Sequence, residues 1–283
     1  MKTKILSFFF FLFGCIKVSA CDCDTPKTIL EFYSSKYVFK GIIASKIFSK
    51  DSATYTIKFK VLESYKKGKI PKELSFTSYY NKENARWGSC YTEEYQYQEW
   101  LVFAQENNGK LGFSSMCSNS EFIGGRGIDA YTQKILDNGN RFNLKDYIYN
   151  DNVDLRSEFN YTKPITDIDS VFRNGKVKDY EKTYAVLALY IDEKGKLISI
   201  FTGLDMDYSE PDFVNDPVFG LLKSFSVKSK RPLNEFEIEA IHLFSQVKEW
   251  EQKKHIKTKV PVKYIRYVRV EFDKENKKWK YDL

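Results

Sequence analysis

Residues 54–65 read Thr54-Tyr55-Thr56-Ile57-Lys58-Phe59-Lys60-Val61-Leu62-Glu63-Ser64-Tyr65, and their alternation sets the class of the fold. Tyr55, Ile57, Phe59 and Val61 fall on one face of an extended chain, Thr56, Lys58 and Lys60 on the other. Successive side chains on a strand point to opposite sides, so the pattern predicts a half-buried β-strand. Runs of similar character surround it: Tyr37 to Phe48 before, then Leu74 to Tyr79, Glu99 to Gln105 and Lys110 to Ser115. The last two are joined by Glu106-Asn107-Asn108-Gly109, a hairpin turn sequence. Five strands with short turns, preceded by a short helix over Thr28 to Ser35, predict a small β-barrel. High aromatic content, mostly Tyr and Phe, favours strands over helices in the same way.

The second half changes character. Tyr184 to Ile191 is an apolar run, Asp192-Glu193-Lys194-Gly195-Lys196 a hairpin turn, and Leu197 to Phe201 the returning strand. Asn234 to Trp250 predicts a helix, with Asn234 as N-cap and Glu237 completing a capping box. Phe236, Ala240, Ile241, Phe244 and Val247 form its apolar stripe, which reads as a core face. Val260 to Phe272 reads as a long strand, and residues 204–233, with Pro211, Pro217 and Pro232, as a polar insert. The expected organisation is a mainly β domain over 21–145, a linker over 146–179 and an α+β domain of ββαβ order over 180–283.

Residues 1–20 have the form of a signal peptide. Lys2 and Lys4 precede an apolar run from Ile5 to Ile16, too short to span a bilayer, and Val18-Ser19-Ala20 offers small residues for cleavage. The chain is therefore expected to be exported, to the periplasm, the cell surface or the exterior. Val18-Ser19-Ala20-Cys21 also fits a lipobox, and lipid on Cys21 would tether the protein to a membrane. Lys17 interrupts the run into that box, which favours plain export. Four cysteines remain after processing, Cys21, Cys23, Cys90 and Cys117. An even number in an exported chain points to disulfides, with three pairings open.

Net charge is +7, spread over 45 basic and 38 acidic residues, the composition of a mixed solvated surface and not of a nucleic-acid site. The two histidines, His242 and His255, have no His-x-x-x-His partner. The chain contains no zinc-protease motif, no Gly-Lys-Ser/Thr phosphate loop and no Gly-x-Ser-x-Gly elbow. Gly124-Gly125-Arg126-Gly127 reads as a loop, and Glu93-Glu94 as part of an acidic one. A non-enzymatic protein without a cofactor is expected.

Two resemblances sharpen these expectations. The exported Cys21-Asp22-Cys23 start is followed by Val38-Phe39-Lys40-Gly41-Ile42-Ile43, Phe59 to Gly68, Trp87-Gly88-Ser89-Cys90, Tyr97 to Ala104 and Gly112 to Cys117. In order and spacing this resembles the netrin-like domain of tissue inhibitors of metalloproteinases and their bacterial relatives, over about residues 21–145. The resemblance implies a five-stranded OB-type barrel with flanking helices and the bridges Cys21–Cys90 and Cys23–Cys117. It also implies that the free α-amine and carbonyl of Cys21 would chelate the zinc of a target protease, with Asp22 entering its specificity pocket. Asp22 departs from the small or hydroxylated residue usual there, and a carboxylate in an apolar pocket costs desolvation. In the second half, Leu189 to Lys196, the helix ending Val247-Lys248-Glu249-Trp250 and Lys259 to Tyr264 resemble the C-terminal domain of TonB-type proteins. That resemblance implies binding of an extended peptide by strand addition.

The expected function is thus binding of a protein or peptide in the bacterial envelope or outside it, with metalloproteinase inhibition through Cys21 and Asp22 as the alternative. Peptide mapping of the mature protein without reductant should recover Cys21 linked to Cys90 and Cys23 linked to Cys117. A crossed pairing would break the alignment with the netrin-like pattern.

Overall fold

The alternating stretch forms strand β2 (Thr54–Ser64), burying Tyr55, Ile57 and Phe59, in a computed structural model that describes residues 25–80, 93–151, 158–202, 209–229 and 231–283. Around it lie α1 (Thr28–Ser34), β1 (Tyr37–Phe48), β3 (Glu73–Tyr79), β4 (Glu99–Asn107), β5 (Lys110–Gly112), β6 (Glu121–Phe122) and α2 (Ala130–Asn138). Strand order is β3-β2-β1-β4-β5 with β6 also on β4, and the sheet curls until β5 comes beside β3. Register shifts at Lys40/Gly41 and Ile43/Ser45 bend β1. Gly41 fits this bend, because a Cβ there would meet the Phe39 ring at 2.9 Å and Lys60 O at 3.1 Å. The β4–β5 hairpin turns on Asn108 and Gly109, both with positive φ, as a tight primed turn requires. Phe39, Phe59, Phe76 and Trp100 fill the inside of the curl.

The second sheet follows. Its elements are β7 (Ile148–Asn150), α3 (Ile168–Arg173), β8 (Tyr184–Ile191), β9 (Leu197–Thr202), β10 (Ser209–Asn215), β11 (Leu222–Ser229), α4 (Glu235–Gln246), β12 (Lys263–Asp273) and β13 (Lys278–Asp282). Strand order is β10-β11-β7-β12-β8-β9, with β13 also on β12. One edge of β12 pairs with β8 along Tyr264–Glu271, and the other is shared by β7 and β13. The chain is mainly β, built as two curled sheets. Among the described residues no helix is long and apolar enough to cross a membrane.

The capping box forms as read: Asn234 Oδ1 accepts from the Glu237 N–H, and the Glu237 carboxylate accepts from the Asn234 N–H, both at 2.9 Å. The helix is shorter than the predicted 234–250 and ends at Gln246. Trp250 lies beyond it, with its indole N–H donated to Val247 O at 3.0 Å. Leu243 joins the buried face, as helical spacing from Phe236 and Ala240 requires, while Ile241 is only half-buried. Residues 204–233, expected as a polar insert, contain the β10–β11 hairpin, with Pro211 on an edge strand where proline is tolerated. The stretch 146–179, expected as a linker, supplies β7, α3 and the buried Phe159, Ile168 and Phe172.

The largest core crosses between the halves. Ile29, Leu30 and Phe32 of α1, with Val38, Leu101 and Phe103 from the outer face of the first sheet, join Tyr149, Leu189, Phe244, Trp250 and Val268 in one cluster. A smaller cluster covers the opposite face of the second sheet, around Ile148, Phe201 and Ile265. Trp250 is fully buried in the shared cluster. Trp250→Ala should therefore cost about 3–5 kcal/mol and lower one cooperative transition that includes the first half. Differential scanning calorimetry reads this; a first-half transition left in place would show that the halves unfold separately.

Candidate functional site

Cys21, Asp22, Cys23 and Cys90 lie outside the described residues. Cys117 is disulfide-bonded, and its backbone adopts a positive φ of 51°. It lies in the wall of a cleft of about 700 Å³ formed by the loop after β5, the C-terminal part of α1, Glu158 and Lys257. That cleft marks where the first half meets the second.

The seven residues of α1 position the cleft's floor. Helical spacing turns Ile29, Leu30 and Phe32 into the core, and it turns Glu31 inward as well. The Glu31 carboxylate accepts from Ser118 Oγ, the Asn119 N–H and Asn119 Nδ2, each at 2.6 Å. Burial pushes its pKa up and these hydrogen bonds pull it down, with the charge of Glu158 acting in the upward direction. Glu31 thus fastens the loop after Cys117 to α1.

The C-terminal end of α1 is capped by two lysines. Lys66 Nζ donates to the carbonyls of Phe32 at 2.9 Å, Tyr33 at 2.8 Å, and Ser35. Lys257 Nζ donates to Ser34 O and, at 3.0 Å, to Gln105 Oε1. Cations at this end satisfy orphan carbonyls and match the helix dipole. Beside them His255 is fully buried between the rings of Tyr33 and Phe159. Its Nδ1 accepts from the Thr258 N–H at 3.1 Å, so Nε2 carries the proton donated to Glu158 Oε2 at 3.0 Å. Glu31 and His255 are engaged with internal partners. Chemically the cleft is a polar seam that locks α1 to both halves.

A second feature lies on the edge of the second sheet. Among the described residues β9 pairs with β8 alone. The start of its outer edge is occupied: the Leu197 N–H donates to Lys248 O, and Lys196 bridges Glu249. From Ile198 to Phe201 no described strand pairs with that edge. A groove of about 490 Å³ runs alongside, between β9 and α4, with Ile198, Ile200 and Ile241 in its wall and Lys196, Lys248 and Glu249 at one end. Ile198 is 56% exposed.

Sequence reading missed a buried ionic cluster. Asp151 lies between Lys253 Nζ and Arg266 Nη1, the latter at 2.8 Å, and all three side chains are buried. Arg266 also donates to Thr162 O at 2.5 Å and to Tyr161 Oη at 2.7 Å, under the rings of Tyr161 and Trp250. Two cations thus share one carboxylate, with aromatic faces supplying part of the compensation. Burial pushes Lys253 down, opposed by Asp151. Glu94, read as part of an acidic loop, lies in a loop but is buried there, and it accepts from Tyr55 Oη at 3.2 Å and Ser115 Oγ at 3.0 Å. Among the described residues no group of three or more His, Cys, Asp or Glu is placed to hold a metal ion.

No family model matches the chain, and no curated protein matches it.

Burial, with help from the charge of Lys257, pushes Lys66 down to about 8 from the ordinary lysine value of 10.5. Between those values the unfolded state holds a proton that the folded state has lost, so stability rises with pH across that window. The gain is lost as pH falls back through about 8. Urea melts of wild type and Lys66→Met across that window should show the rise in wild type and a flatter profile in the variant. Parallel profiles would mean that Lys66 keeps its ordinary lysine behaviour.

Proposed function

We propose that the protein is an exported, non-enzymatic binding protein of the bacterial envelope or exterior, and that its second half takes an extended peptide on the outer edge of β9. The observation that carries this is the edge from Ile198 to Phe201, which no described strand pairs, beside a groove walled by Ile198, Ile200 and Ile241. An edge strand offers unpaired backbone groups that give affinity, and the groove beside it gives side-chain selectivity. The order β9-β8-β12 with α4 packed on one face supports a TonB C-terminal-like arrangement. Both edges of β12 are already occupied, which leaves the end strands of the sheet for strand addition, and of these β9 lines the groove with α4. In the first half, the order β3-β2-β1-β4-β5 with β5 beside β3 supports an OB-type barrel of netrin-like kind. Export rests on the form of residues 1–20.

A second reading, inhibition of a zinc metalloprotease through the Cys21 amine and carbonyl with Asp22 in the specificity pocket, draws on the disulfide at Cys117. That bond fits the implied staple of the N-terminus, and a staple serves a binding protein equally well.

Selection of a random peptide display library against the mature protein should enrich peptides with apolar residues at alternate positions. Hydrogen exchange of the complex should then protect Ile198 to Phe201. Ile198→Lys should weaken binding by roughly tenfold or more, the equivalent of about 1.5 kcal/mol of lost apolar burial. Selected peptides that leave β9 unprotected and ignore Ile198→Lys would refute the edge as the site.

A further inference from the structure

We propose that the inward face of the second sheet holds a binding site for a small apolar molecule bearing one carboxylate, with the carboxylate directed to Lys27. The site is separate from the β9 edge and does not depend on it.

The shape of the sheet comes first. Phe225 on β11 lies 5.2 Å from the ring of Tyr190 on β8 and 5.3 Å from that of Phe201 on β9. In strand order those partners are three and four strands away. Rings so far apart along a sheet meet only if it curls with that face inward. The curl is possible because β7, which separates β11 from β12, is only three residues long. The inward face carries its own apolar cluster, with Ile148, Ala188, Phe201 and Ile265 buried and Tyr190, Phe225 and Tyr267 partly so.

The three rings meet across this interior, level with Ile265 and Tyr267 of β12. Beside them lies a cavity of about 350 Å³ walled by Ile148, Phe213, Leu222, Ile265 and Tyr267, with Asn150 and Asn215 also in its lining. The volume is at the lower end of the roughly 300–1,000 Å³ usual for small-molecule sites, and the mouth of a curled sheet is a common place for one. An apolar body would recover contacts that the cavity walls now lack.

The charge in the wall is set by one residue. Lys27 is the sole charged residue in the cavity wall among the described residues, and it forms no ion pair with any of them. It belongs to the first half, immediately before α1, whereas the rest of the wall belongs to β7, β10–β12 and the turn before β11. A largely apolar wall with a single cation, beside the neutral amides of Asn150 and Asn215, selects an amphipathic anion over a neutral molecule of the same length. A ligand held this way touches both halves and stabilises them jointly by mass action.

Octanoate and its neutral analogue 1-octanol, titrated into the full-length mature protein against a displaceable anilinonaphthalene sulfonate probe, test the assignment. Wild type should bind both, with octanoate tighter by roughly fivefold, the value of a partly exposed ion pair. Lys27→Gln should bind both equally, at the level of 1-octanol. Leu222→Trp, which fills the cavity, should bind neither. If Leu222→Trp fails to fold, Phe213→Ala takes its place, since Phe213 is 39% exposed and its loss removes wall without opening the core; both ligands should then weaken together. Absence of binding to wild type, an octanoate preference that survives Lys27→Gln, or affinities untouched by the cavity variants would each overturn the proposal.

Discussion

A helix of seven residues cannot sustain itself in water, and much of what joins the two halves of this protein passes through one. Helix α1 exists because both sides of it are claimed. Its apolar residues enter a core that continues into the second half, Lys66 and Lys257 satisfy its last carbonyls, and Glu31 holds the loop after Cys117 against it. Those two lysines come from opposite halves of the chain, one from the loop after β2 and one from just before β12. The helix is therefore a joint: its geometry persists only while both sheets stand in place around it. His255, buried against Tyr33 of the same helix, extends the joint through Glu158.

The elements read from sequence were those whose signal is local. The 54–65 alternation, the Asn108-Gly109 turn and the Asn234/Glu237 capping box each depend on residues a few positions apart, so the sequence displays the reason for the structure directly. Strand β7 carries no such signal. Three residues show no period, and their strand state is imposed by β12 on one side and β11 on the other. The β10–β11 hairpin is exposed along much of both strands, so its polar, proline-bearing sequence reads as a loop. In both cases tertiary pairing overrides weak local preference.

The site was legible to a smaller degree. An even number of cysteines behind a signal-like segment points to disulfides, and Cys117 is bonded, yet the groups that surround it had no sequence mark. Glu31 looks like any helix carboxylate until Ser118 and Asn119, distant in sequence, close over it. Arg266 did offer a signal. It occupies a core-facing position in the alternation Tyr264, Arg266, Val268, Val270, where a charge demands a buried partner. The partner, Asp151, lies in the stretch expected as a linker, far from Arg266 in sequence, so nothing local joins the two.

The open part of β9 is a matter of how much edge a sheet leaves unpaired. An edge strand with an exposed isoleucine invites self-association, and proteins usually cover or charge such edges. Here the chain covers the beginning of the edge itself, through Lys248 and Glu249 against Lys196 and Leu197, and sets lysines at its approach. What remains, Ile198 to Phe201, is shorter than the six- or seven-residue segments that stack into fibrils. It is still long enough to accept a few backbone hydrogen bonds from a guest strand. A sheet shaped only for stability would gain by extending the cover two or three residues further, and the groove on α4 would then be filled from within. Among the described residues the edge and the groove lie uncovered on the same side, which is what the proposed strand addition requires, and the local cover would limit how far such a guest could extend.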